Sequence, residues 1–138
     1  MRPKLTGVLE TALYVDDVER SAEFYQRVFS FERIAGDARL AALSVLGRQV
    51  LLLLKKGASV QPHRSAGGVI PGSDSSGTSH LTFAIAAADF EAWEKWLAEN
   101  GVAIESKVSW ERGGRSLYFR DPDSHLLELA TPGTWEIY

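Results

Sequence analysis

The chain has 138 residues, which suits one domain, and a domain near this size buries about 68–70% of its unfolded surface and so needs no covalent staple. It contains no cysteine, which excludes disulfides, thiolate metal sites and thiol nucleophiles and leaves any metal to His, Asp and Glu. A net charge of −3 offers no footprint for nucleic acid, and without an apolar run near ~20 residues or a signal-peptide core the reading is a soluble cytoplasmic domain, not a membrane protein.

Residues 9–15 alternate as a strand, and a helix follows. Its apolar face is Val18, Ala22, Tyr25 and Phe29, at spacings of four, three and four. Asp16 with Glu19 resembles a capping box, and Asp17 competes as N-cap. Strands are expected near 31–34, 40–46 and 49–54, with Gly47-Arg48 as a turn. Residues 57–78 are rich in Gly, Ser and Pro and lack periodicity, which marks a long loop, read either as a lid or dimer arm or as a mobile linker. A strand at 80–85 then precedes a second helix with Phe90, Trp93 and Leu97 on its face and Asn100-Gly101 as its stop. Strands near 102–108, 116–120 and 126–130 close the chain, the last two joined by the turn at 121–124.

The order strand, helix, three strands is thus written twice. One α+β domain built from half-modules 6–56 and 79–135, joined by the loop 57–78, is the expected architecture. Alternation places Glu10, Ala12 and Tyr14 on one face of the first strand, and His80, Thr82 and Ala84 on the matching face of its counterpart. In the last strand Glu128 lies between leucines, where a buried carboxylate is costly unless hydrogen-bonded, paired or metal-bound.

The segment Leu9-Glu10-Thr11-Ala12-Leu13-Tyr14-Val15-Asp16-Asp17, followed by Ser21-Ala22-Glu23-Phe24-Tyr25, resembles the opening of a vicinal oxygen chelate module. Gly113-Gly114-Arg115-Ser116-Leu117-Tyr118-Phe119-Arg120-Asp121-Pro122-Asp123, running into Leu126-Leu127-Glu128-Leu129, resembles the close of one. That superfamily includes glyoxalases, fosfomycin and bleomycin resistance proteins and extradiol dioxygenases. The resemblance covers residues 6–135 and implies two tandem βαβββ modules whose curved sheets enclose a cleft holding one divalent metal. Carried over by position, it implies Glu10, His80 and Glu128 as metal ligands, with Leu52 where a fourth ligand would stand. Glu10 replaces the family's common His or Gln, and Leu52 cannot bind metal.

Three ligands with open positions suit a catalytic Mn, Fe, Co, Ni or Zn ion. Such an ion chelates two neighbouring oxygens of a small oxygenated substrate as a Lewis acid, in glyoxalase-like isomerisation or lyase chemistry, ring cleavage by a dioxygenase, or addition to an epoxide. Glu10 and Glu128 are the candidate catalytic carboxylates, Glu10 as general base if it does not bind the metal. Tyr14, Leu52, Trp110, Arg115 and Tyr118 are candidates for the cleft wall; strand parity lets at most one of Arg115 and Tyr118 point inward.

Blander readings stand beside these. Glu10 is then a solvated strand end, His80 a hydrogen-bonded strand histidine, and Glu128 a partner of Arg115 or Arg120. His125 is read as a surface residue, His63 as an ordinary loop histidine, and Trp93 and Trp96 as helix packing. A homodimer, in some family members with exchanged modules, is a further implication of the resemblance. The alternative function is a metal-free protein that sequesters a drug or metabolite, for which Ala12, Leu52, Leu126 and Ala130 supply an apolar lining.

Overall fold

In the first half of the chain, β1 (Glu10–Val15) leads into α1 (Val18–Phe29), then β2 (Glu32–Gly36), β3 (Leu40–Val45) and β4 (Gln49–Lys55). The helix begins where the Asp17 carboxylate accepts the Arg20 N–H at 3.0 Å, so Asp17, not Asp16, is the cap. It ends at Ser30, which takes the left-handed conformation at φ 57°. Val18, Ala22, Tyr25 and Val28 are buried on the face that packs against β3 and β4. Opposite them lie Leu13, Ala41, Leu43, Leu51 and Leu53, each almost wholly buried. Each of those leucines contributes about 1.5–3 kcal/mol.

The strands order as β1-β4-β3-β2, with β1 parallel to β4 and the other pairs antiparallel. Leu46 and Gly47 join β3 to β4 with φ of 58° and 67°, a pair of left-handed residues that matches the twist of a hairpin.

The second half repeats the plan. β7 (His80–Ala84) is followed by a short 3₁₀ turn, α2 (Phe90–Glu99), β8 (Ile104–Ser109), β9 (Arg115–Arg120) and β10 (Leu126–Ala130). The order is β7-β10-β9-β8, again with the first strand parallel to the last. Its core holds Phe90, Leu97, Leu117, Phe119, Leu127 and Leu129. Trp96, expected to pack, is 41% exposed.

Residues 57–78 are not structureless. They contain the hairpin β5 (His63–Ser65) and β6 (Gly68–Ile70). Its flanks are tied by the Ser73 N–H donating to the Ser59 carbonyl at 2.7 Å. Gly72 is required there, since a Cβ would lie 2.0 Å from the Val60 carbonyl oxygen. The computed structural model describes all 138 residues and divides them into two units, Met1–Ser76 and Gly77–Tyr138, so the hairpin belongs with the first. No helix is long and apolar enough to cross a membrane.

Candidate functional site

In the second unit, strand pairing builds a polar cluster on the face of the sheet turned away from its leucine core. β10 sets Leu126 beside His80 and Glu128 beside Thr82, and β9 sets Tyr118 on the other side of Glu128. The start of β7 is pinned twice, by the Leu126 N–H donating to the Ser79 carbonyl at 2.8 Å and by the Ser79 N–H donating to His125 Nδ1 at 2.9 Å. His125 is therefore not a surface residue. It is 1% exposed, because the Asp121 carboxylate accepts the N–H groups of Asp123 and His125 and so folds the turn that carries the ring inward.

The imidazole of His80 is fixed by its Nδ1, which lies 3.0 Å from the Leu126 carbonyl. A carbonyl only accepts, so Nδ1 carries the proton. Nε2 then faces Glu128 Oε1 at 3.1 Å. A bare lone pair and a carboxylate oxygen repel each other unless a proton or a metal cation lies between them. Two donors at about 2.1 Å from one ion, at a right angle, stand about 3.0 Å apart, so this spacing fits a shared metal. The imidazole side chain is 49% exposed and that of Glu128 only 7%, so the pair opens to solvent on the histidine side.

Four further groups complete the cluster. Thr82 donates to Glu128 Oε1 at 3.0 Å, and Ser116, fully buried, donates to Oε2 at 2.6 Å. The Tyr118 ring stacks on His80 with centroids 6.2 Å apart. Burial, and then the adjacent Glu128 charge, hold its phenol above the ordinary value of 10.0, so it remains a proton donor at neutral pH. Trp110 gives its indole N–H to Ser116 at 2.8 Å.

Arg115, a candidate for the cleft wall, lies on the opposite face. Its guanidinium stacks 3.8 Å over the Phe90 ring and donates to Glu91 at 2.8 Å, both on α2. Parity decided the matter: Ser116 and Tyr118 share the face of Glu128, and Arg115 takes the other. Arg120 pairs with Glu105 at 2.8 Å. Neither arginine pairs with Glu128. Thr82, Ser116 and His125 were not singled out as functional, although alternation along β7 and β9 carried the signal for the first two.

The first unit places Glu10, Tyr14 and Leu52 along the face of its sheet away from α1, as expected. They line a cavity of about 330 Å³ together with Leu40, His63 and Ile70, so the β5–β6 hairpin forms one of its walls. The Tyr14 hydroxyl lies 2.6 Å from the Ser73 hydroxyl and so joins strand to loop. No group of three or more His, Asp or Glu side chains gathers in the chain as a metal cage. His80 and Glu128 are a two-donor pair in the second unit, and Glu10 stands in the first.

Three comparisons fit this layout. The metallothiol transferase FosB of Staphylococcus epidermidis is 28% identical over 130 residues, spanning 93% of this chain and 83% of the relative. FosB of Staphylococcus haemolyticus is 30% identical over 129 residues, spanning 92% and 84%. Among solved structures, a lactoylglutathione lyase from Agrobacterium tumefaciens superposes with a TM-score of 0.86 at 28% identity, covering 97% of this chain and 99% of that one. A family model matches residues 7–129. The doubled βαβββ plan, the face that carries His80 and Glu128, and that match agree: the chain belongs to the Glyoxalase/Bleomycin resistance protein/Dioxygenase superfamily.

Proposed function

We propose that this chain is a metal-dependent enzyme acting on a small oxygenated molecule, with His80 and Glu128 as protein donors to a divalent ion and Glu10, on the first unit, as a separate candidate carboxylate. The observation that carries the reading is the placement of His80, whose Nδ1 is anchored on the Leu126 carbonyl and whose Nε2 lies 3.1 Å from a buried carboxylate. An imidazole and a carboxylate, without sulfur, suit Mn, Fe, Co, Ni or Zn. Such an ion supplies Lewis-acid polarisation of two neighbouring substrate oxygens. Tyr118 stacks beside His80 as a neutral phenol, and in the first unit Glu10 is a carboxylate on the wall of a largely apolar cavity.

The relatives named metallothiol transferase and lactoylglutathione lyase support proton transfer or addition at a carbon beside the chelated oxygens as the reaction class. Metal analysis of untagged protein tests this. One divalent ion per chain, lost in His80→Ala and Glu128→Gln, is the expected result. No metal after purification and none taken up on titration would overturn it.

The cavity beside Leu52 favours a second reading, metal-free sequestration of an apolar ligand. His80→Ala separates the two: unchanged ligand affinity together with no metal dependence supports sequestration.

A further inference from the structure

We infer that Trp110 and Ser116 form a positioning relay that locks Glu128 as a fixed donor through its Oε1 atom and withholds it from service as a mobile base. This rests on the reading of Glu128 as a metal ligand.

The direction of each hydrogen bond follows from its chemistry. An indole nitrogen only donates, so at 2.8 Å Ser116 Oγ is the acceptor of the Trp110 N–H. A serine hydroxyl has one proton, and with Trp110 occupying an acceptor site that proton goes to Glu128 Oε2, 2.6 Å away. The chain therefore runs one way, from indole to hydroxyl to carboxylate. Each link polarises the next, and the short contact to an ionised oxygen is the stronger kind of hydrogen bond.

Burial makes the arrangement consequential. Ser116 is wholly buried and Glu128 is 5% exposed, so neither has water as an alternative partner of equal standing. Trp110 is 37% exposed and bridges from solvent into that interior. Its position is fixed by a tight turn, with the Trp110 N–H donating to the Gly114 carbonyl at 2.7 Å and the Gly113 N–H donating to the Trp110 carbonyl at 3.0 Å. Gly114 packs directly on Gly133, where a Cβ would meet backbone at 2.4 Å, so this turn cannot drift outward.

The two carboxylate oxygens are thereby given different tasks. Oε2 is held by Ser116, whereas Oε1 faces His80 Nε2 and accepts from Thr82. An ion held with His80 would find Oε1 open to it and Oε2 already engaged by Ser116, the condition for monodentate binding. To act as a base, Glu128 would have to swing away from the ion and break the Ser116 contact inside a packed sheet. Proton transfer is left to another group.

The experiment is a double-mutant cycle on Mn²⁺ affinity, read by the electron paramagnetic resonance of free Mn²⁺, with Trp110→Phe, Ser116→Ala and the pair. Ser116→Ala is expected to weaken Mn²⁺ binding about 10–100-fold, the usual effect of removing an orienting partner. Trp110→Phe, which keeps a ring and deletes the N–H, should weaken it about 3–10-fold in the wild-type background and not at all in Ser116→Ala, because the two act in series. Ser116→Thr, which keeps the hydroxyl, should retain most of the affinity. Carboxylate stretching bands should report monodentate binding in the wild type and a changed splitting in Ser116→Ala.

Equal losses from Trp110→Phe in both backgrounds, or no loss in either, would overturn the relay while leaving the metal site intact. If the wild type binds no Mn²⁺ and takes up no Fe²⁺, Co²⁺, Ni²⁺ or Zn²⁺ on titration, the metal reading fails separately. The relay is then judged on the metal-free protein by the NMR signal of the Trp110 indole N–H, which must be slow to exchange and must shift in both Ser116→Ala and Glu128→Gln. A freely exchanging indole proton would end the proposal.

Discussion

The two halves of this chain share one topology and divide the chemistry unequally. In both, a parallel pairing of first and last strands leaves a helix-covered apolar face and an opposite face free for function. On the first half that opposite face is mostly apolar: Ala12 stands beside Leu52, Tyr14 beside Leu54, and a hairpin supplies a further wall. On the second it is polar: His80, Thr82, Tyr118 and Ser116 surround one carboxylate. The fold constrains only which positions face that side. A leucine at 52 and a glutamate at 128 occupy last-strand positions of the same parity, and the difference separates a wall from a ligand.

The largest expected effect tests whether the apolar faces are equivalent. Leu53→Ala in β4 and Leu127→Ala in β10 remove fully buried side chains, and each should cost about 2–5 kcal/mol in denaturant unfolding. A cost confined to one half would break the comparison. Next, Glu128→Gln should lower Mn²⁺ affinity by about 100-fold or more, beyond the 10–100-fold carried by supporting residues, measured by titration. Leu52→Trp, which fills the cavity of the first half, should abolish small-ligand shifts in the NMR spectra of β1 and β4.

Smaller effects sharpen the assignment of faces. Arg115→Ala should lose about 0.5–1 kcal/mol from the stack on Phe90 without altering Mn²⁺ binding, because that guanidinium lies on the helix side. The smallest concerns acid. The Arg120 hydrogen bond holds the Glu105 carboxyl below its ordinary 4.5. The folded form thus binds fewer protons, and the stability this pair provides is present above pH 4.5 and fades as pH falls through the lowered value. Thermal melts of Glu105→Gln should differ from the wild type at pH 6 and converge with it at the acid end. A constant gap would assign the effect to something other than this pair.

Much of this layout was legible in the sequence. Alternation in residues 10–15, 80–84 and 126–130 puts Glu10, His80 and Glu128 on one kind of face, and the repeat gives the chain order of strand, helix and three strands twice. What the sequence did not show were contacts made across register. Ser116 lies twelve residues from the carboxylate it holds, and only the antiparallel pairing of β9 with β10 turns that separation into a 2.6 Å contact. His125 reads as a surface residue from the sequence because its burial depends on Asp121 folding the backbone around it. The β5–β6 hairpin was hidden because its sequence has no apolar alternation, and what holds it is backbone pairing with a glycine packed against a carbonyl.

His80 and Glu128 are 48 residues apart in the chain yet touch through the one parallel pairing in their sheet. In an unfolded coil a segment of that length has its ends on the order of 40 Å apart, so the disordered state offers a cation no such pair of donors. Any ion that occupies this site is then thermodynamically linked to folding. At 100 times its dissociation constant it would raise the unfolding free energy by about 2.7 kcal/mol. The melting temperature of the protein should therefore climb with the logarithm of metal concentration, and the metals that fail to move it are ones the site does not hold.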